Sequence, residues 1–192
     1  MNIKYTHMKK RNLIALGASL FLALGLHAQT TAISNGLIDW KGSKITNESH
    51  EGTIAISAGS ISFDGDNLTG GTFIVDMNSI VCTDLSESYG AKLVGHLKSD
   101  DFFGVDEHPE ATLTFTSAIP TEGGFKVTGD FTIRGITHPE TFILKLDGNK
   151  ATADLEIDRS KYNVKFRSGT FFENLGDKLI NDELELSVSF TY

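Results

Sequence analysis

The chain is 192 residues long and carries 25 Asp and Glu against 17 Lys and Arg, a net charge of −8. Such a surface repels polyanions, which excludes nucleic acid and anionic lipid surfaces as its main partners. A single cysteine, Cys82, excludes an intramolecular disulfide, so packing has to hold the fold.

At the N-terminus, Lys4, Lys9, Lys10 and Arg11 precede an uncharged apolar run over 13–26, and Ala28 stands before Gln29. These are the three parts of a secretory signal peptide, expected over 1–28 with cleavage after Ala28. A membrane span needs about 20 apolar residues, more than this run supplies, so no stable membrane insertion is expected after cleavage. What remains is one domain over 29–192, periplasmic or secreted, with a net charge of −12 (13 basic against 25 acidic).

From residue 37 onward, apolar and polar residues alternate in runs separated by turn dipeptides: Asn35-Gly36, Asp64-Gly65, Gly70-Gly71, Gly123-Gly124 and Asp147-Gly148. Period-two alternation gives each strand one dry face, and the turn residues make an antiparallel meander. Strands are predicted over 37–45, 51–58, 60–63, 71–81, 111–117, 125–134, 140–146, 150–158 and 183–191. Between the fourth and fifth, Leu85, Tyr89, Leu93, Val94 and Leu97 recur at helical spacing. The prediction there is a helix over 84–98, with Asp84 as N-cap and fraying allowed at Gly90 or Gly95. The strands 125–134 and 140–146 form a hairpin bent at Gly135 and Thr137-His138-Pro139, with Phe131, Ile133, Phe142 and Leu144 on its dry face.

Eight or nine strands without a βαβ pattern make an all-β protein, either a sandwich or a closed barrel. Alternation alone does not choose between them. Small residues (Gly129, Ala151, Ala153) beside large ones (Phe131, Phe142) on the dry faces suit the tapered interior of a barrel. Two turns carry adjacent aromatics, Phe102-Phe103 and Phe171-Phe172, either as plugs at the barrel ends or as ligand contacts.

Motifs for chemistry are sparse. His50, His96, His108 and His138 stand far apart in sequence, without metal-ligand spacing, and no nucleophile elbow or phosphate loop is present. The acidic pairs Asp100-Asp101 and Asp182-Glu183 read as solvated caps, and Cys82 as a small buried side chain. No catalytic residue, metal or cofactor is therefore expected. In the one mixed aromatic and basic segment, K-Y-N-V-K-F-R at 161–167, alternation puts Tyr162, Val164 and Phe166 on one face.

Seven motifs occur in order: W-x-G-x-K at 40–44, L-x-G-G-x-F at 68–73, D-M-x-S-I at 76–80, H-L-K-S-D-D-F-F at 96–103, G-D-F-T-I-R-G-I-T at 129–137, I-D-R-S-K-Y at 157–162 and F-F-E-N-L-G-D-K at 171–178. Through them the chain resembles the bacterial YceI-like family over nearly all of 29–192. The resemblance implies an exported, closed, antiparallel eight-stranded lipocalin-like β-barrel with a short helix between strands. It further implies a non-enzymatic carrier, whose apolar tunnel holds an isoprenoid lipid such as a polyprenyl phosphate or an isoprenoid quinone. Residues expected to line or close the tunnel are Trp40, Phe73, Phe131 and Phe142 on strands and Leu93, His96 and Leu97 on the helix. Phe102, Phe103, Phe171 and Phe172 are expected to do so from turns. Two departures, the longer first turn at Asn47-Glu48-Ser49-His50 and Ile143 where the family commonly has proline, bear on the headgroup more than on the tail. The alternatives are a packed structural or protein-interaction module and, less favoured, an enzyme acting on a lipid. Two copies are expected to pair through a barrel edge or end as a homodimer.

Overall fold

The computed structural model describes residue 1 and residues 28–192, so the expected signal peptide falls outside the described residues except at its two ends. The alternating runs form ten strands: β1 Gln29–Ala32, β2 Ser34–Ser43, β3 Ser49–Asp64, β4 Asn67–Asp76, β5 Val81–Cys82, β6 Glu110–Thr121, β7 Gly124–Ile133, β8 Ile136–Asp147, β9 Lys150–Asp158 and β10 Glu183–Thr191. One α-helix, α1, spans Glu87–Lys98. Antiparallel neighbours follow the order β3-β2-β10-β9-β8-β7-β6-β4, and β4 pairs back onto β3. Eight strands thereby close into a barrel, although β8 and β9 pair over only three residues. β1 and β5 lengthen the wall: β1 continues the line of β2 along β3, and β5 continues that of β4.

Dry faces point inward. Leu186 of β10 sits opposite Leu155 of β9, and Val188 opposite Ala153. At one end of the barrel, Ile61, Val127, Leu144, Ala151 and Phe190 are almost wholly buried. Three connections there are two residues long, 65–66, 122–123 and 148–149, and each contains a glycine at positive φ (Gly65, Gly123, Gly148). The other end carries the longer connections 44–48, 77–109 and 159–182. The second apolar cluster, with Ile38, Ile54, Ile80, Leu97, Phe102 and Val164, gathers beneath them.

Several elements differ from expectation, each for a local reason. The runs 51–58 and 60–63 are one strand, because Gly59 is no turn: a Cβ there would stand 2.8 Å from the Thr72 carbonyl oxygen, so glycine permits close approach of β4. The predicted strand 71–81 instead starts at Asn67 and breaks after Asp76, whose side chain accepts from Asn78 N at 2.9 Å and starts a 3₁₀ turn over Met77–Ser79. Ser86, rather than Asp84, occupies the N-cap position of α1, and the helix runs unbroken through both glycines. The bend of the β7–β8 hairpin is confined to Arg134-Gly135, both at positive φ, and Pro139 lies within β8 opposite Asp130. Proline is tolerated there because β8 and β9 pair only from Lys145 to Asp147, so the missing N–H breaks no ladder on that side. Along the unpaired part of this seam, Glu140 instead receives the Lys161 Nζ at 3.1 Å, and His138 Nε2 meets the Lys161 carbonyl oxygen at 3.1 Å.

Candidate binding chamber

Two cavities occupy the barrel end to end. The inner one, about 120 Å³, is walled by 22 residues, of which only Thr112 has a polar side chain. Its aromatic lining is a contiguous set of rings: Phe73 lies 5.1 Å from Phe190 and 5.3 Å from Phe115, and Phe142 lies 6.0 Å from both Phe115 and Phe131. The outer cavity, about 260 Å³, lies between the strands, α1 and the long connections. Ile54, Phe103, Leu184 and Leu186 line both, so the chambers abut at these four side chains.

The outer chamber adds a polar rim. Lys44, Glu48, His50, His96 and Arg167 line it beside Trp40, Leu93, Leu97, Phe102, Phe103 and Phe166. Lys44 pairs with Glu48, and this contact holds the glutamate below the ordinary carboxylate range. His50 Nδ1 lies 2.9 Å from Asp84 Oδ2, and the Cys82 thiol donates to Asp84 Oδ1 at 3.0 Å. Burial works to raise the Asp84 pKa, but hydrogen bonds from Cys82, His50 and Glu51 N outweigh it and bring it to about 2. The same surroundings, burial first and then Asp84, push the Cys82 thiol up, so it serves as a donor and not as a thiolate. His96, in the last turn of α1, packs 4.3 Å from the Phe166 ring, and its buried Nε2 has no hydrogen-bond partner. Among the described residues no group of three or more His, Cys, Asp and Glu is placed to hold a metal.

A buried arginine secures the roof. Arg159 donates through Nε to the Asn181 carbonyl at 3.1 Å, through Nη1 to that of Val164 at 3.0 Å and through Nη2 to that of Ile180 at 3.1 Å. Its Nη2 also stands 3.1 Å from Asp182 Oδ1, a charge contact without hydrogen-bond alignment, while Asp182 Oδ2 accepts from Ser168 and Thr170. Burial lowers the Arg159 pKa, and Asp182 works against that shift. Asp182 is thus a partner inside the fold and not the solvated cap that its place before β10 suggested. One guanidinium ties both ends of the 159–182 connection together above the chamber.

Phe73, Phe131 and Phe142 line the inner chamber, Trp40, Leu93, His96, Leu97 and Phe102 the outer one, and Phe103 both. Phe171 and Phe172 line neither chamber: they are 40% and 49% exposed, and Phe172 lines the outer depression that it shares with Phe166 and Arg167. Both follow a turn in which the Phe171 and Phe172 N–H groups donate to the Ser168 carbonyl, and the Phe171 ring lies under the Lys165 ammonium outside the barrel. Sequence reasoning missed Lys44, Phe166, Arg167 and Ile180 as lining residues. The one available signal was the aromatic and basic mixture at 161–167, whose apolar face does turn inward, with Tyr162 and Val164 fully buried.

Fold and chambers define a lipocalin-like closed barrel, dry inside and polar at one rim. The chain belongs to the YceI-like family, whose domain model matches residues 30–192. Among curated relatives, a UPF0312 protein of Staphylococcus aureus strain bovine RF122 / ET3-1 is 42% identical over 82 residues, and that of strain USA300 is 40% identical over 82 residues. Each match spans 37% of this chain and 46% of the relative, so the matched stretch is about half the length of these proteins. Among solved structures, Burkholderia cenocepacia BcnA superposes with a TM-score of 0.62 at 20% identity, covering 82% of this chain and 96% of that one. A polyisoprenoid binding domain from Saccharophagus degradans, implicated in plant cell wall breakdown, superposes with a TM-score of 0.55 at 14% identity, covering 85% and 99%. At these identities the likeness is one of fold.

Proposed function

We propose that the protein binds a long isoprenoid lipid, its tail in the inner chamber and its head at the polar rim, and carries or sequesters it in the periplasm or outside the cell. The observation that carries this is the inner chamber: a wall apolar but for Thr112, closed at one end by a packed core, and abutting a larger chamber with charged residues at its edge. Each buried CH₂ contributes about 0.8 kcal/mol, so a dry tube alone gives a long tail substantial affinity. The chambers favour a carrier over a fully packed structural module, and the family and the polyisoprenoid binding neighbour support the same choice. Binding without catalysis fits the Cys82, Asp84 and His50 cluster, whose thiol and imidazole both turn to one carboxylate instead of to each other. Export rests on the leader-like sequence over 1–28. The test is organic extraction of protein purified from its own host followed by mass spectrometry, where a prenyl lipid is expected. An empty extract together with failure to bind prenyl phosphates and quinones in vitro overturns the proposal.

A further inference from the structure

Two arginines eight residues apart lie in the same connection and are used in opposite ways. Every nitrogen of the Arg159 guanidinium donates to a backbone carbonyl. Arg167 lines the outer chamber, its guanidinium 5.0 Å over the Phe166 ring, and its side chain makes no hydrogen bond or ion pair among the described residues. Its backbone is left-handed, at φ 52°, an unfavourable conformation for a residue with a Cβ. The Phe166 ring in turn meets His96, whose Nε2 is buried and unpartnered on the same chamber wall. A free cation and an orphan imidazole nitrogen thus both adjoin the Phe166 ring in the chamber wall. Of the other charges lining it, Lys44 and Glu48 are spent on each other. Asp100 and Asp101 share with Arg167 only the shallow depression outside and make no ion pair with it. A protein with net charge −12 over 29–192 therefore keeps a local positive site at the mouth of its apolar tube.

We propose that Arg167, with His96 beside it, is the headgroup clamp of this chamber and selects a prenyl chain ending in a phosphate over one ending in a neutral head. This rests on the lipid-binding proposal above and chooses among the ligands it allows. A quinone or alcohol offers oxygen acceptors but no charge, and on entering the mouth it desolvates Arg167 without neutralising it. A phosphate offers several anionic oxygens, matching the forked donors of a guanidinium and leaving one for His96.

Trp40 is the only tryptophan in the chain and lines the outer chamber, so its fluorescence reports occupancy directly. Three probes are titrated into the purified, delipidated protein: geranylgeranyl phosphate, geranylgeraniol with the same tail, and inorganic phosphate. The phosphate is expected to bind about tenfold or more tightly than the alcohol, the difference a charge-assisted bidentate contact supplies, and inorganic phosphate far more weakly than either. In Arg167→Gln the phosphate-to-alcohol ratio is expected to fall to about threefold or less, and in Arg167→Lys to stay above that of the Gln variant. Arg167→Gly gives the position a residue suited to positive φ, so a ratio lost in this variant as well does not come from misfolding. Equal affinity of the wild type for phosphate and alcohol, or a ratio that survives both the Gln and Gly variants, overturns the clamp and leaves lipid binding standing. Inorganic phosphate binding as tightly as the prenyl phosphate also overturns it, by showing a free-anion site. Failure of both prenyl compounds to bind overturns the lipid proposal and the clamp together.

Discussion

At one end of the barrel the chain reverses three times in two residues; at the other, two of its connections run to 24 and 33 residues and carry the helix, the roof, and His96 and Arg167 of the polar rim. Short reversals leave no room for anything but a packed floor, and Ile61, Val127, Leu144 and Ala151 are accordingly almost without exposure. Long connections cannot satisfy their backbone by ladder pairing, so they take up side chains for the purpose, Arg159 above all. The floor is thus held mainly by apolar packing and the strand ladders, whereas the mouth also depends on buried polar contacts. Barrels that bind at one end separate stability from specificity in this way.

The dependence of the mouth on polar contacts is greatest at Arg159. Arg159→Met leaves Asp182 without its cation and three roof carbonyls without their donor, and is expected to cost about 3–5 kcal/mol in urea unfolding. A cost below about 1 kcal/mol shows that the roof does not depend on this contact. Two alanines on β9 sharpen the contrast, because Ala151 belongs to the floor and Ala153 lines the inner chamber. Ala151→Leu overpacks and is expected to cost about 1–3 kcal/mol. Ala153→Leu grows into existing space, so it is expected to cost under about 1 kcal/mol and to weaken lipid binding by shortening the tube. Equal costs at the two positions deny that the floor and the chamber wall differ.

A smaller effect concerns the Asp84 bridge to His50. Its carboxyl titrates at about 2 when folded against 3.8 unperturbed, so its contribution is complete above pH 3.8 and is lost as the pH falls through about 2. Asp84→Asn is expected to lower Tm at pH 7, with the gap to wild type narrowing below pH 3.8. A gap independent of pH down to 2 removes the carboxylate as its cause. Smallest of all, Phe172→Ala is expected to change stability by less than about 0.5 kcal/mol, since the ring is half exposed outside the barrel. A larger loss means that the ring packs against something the mouth needs.

The wall was the legible part of the sequence. Leu184, Leu186, Val188 and Phe190 alternate with Glu183, Glu185, Ser187 and Ser189, and their inward side follows from period two alone. Glycines misled where their role was to admit a neighbour instead of to turn, as at Gly59, because a sequence does not show what approaches from across the sheet. Strand-borne chamber residues such as Phe73, Phe131 and Phe142 inherited their direction from the alternation. The loop-borne ones had no such guide. Phe102-Phe103 and Phe171-Phe172 look alike in sequence, and only the turn at Ser168, which sends the second pair outward, separates them. Arg159 and Arg167 likewise differ only in how many carbonyls the surrounding backbone brings within reach.

The seam between β8 and β9 has a mechanical consequence. Those strands are laced only from Lys145 to Asp147, at the floor, whereas β7 and β8 pair over the whole stretch from Phe125 to Ile133. A tube fastened all round yields to a wide guest only by breaking ladders, but one with an unlaced stretch at its mouth can spread there, at the cost of parting the Lys161–Glu140 contact that spans it. Length is therefore policed by the floor and girth is not, so methyl-branched chains should be accommodated more readily than chains that are simply longer.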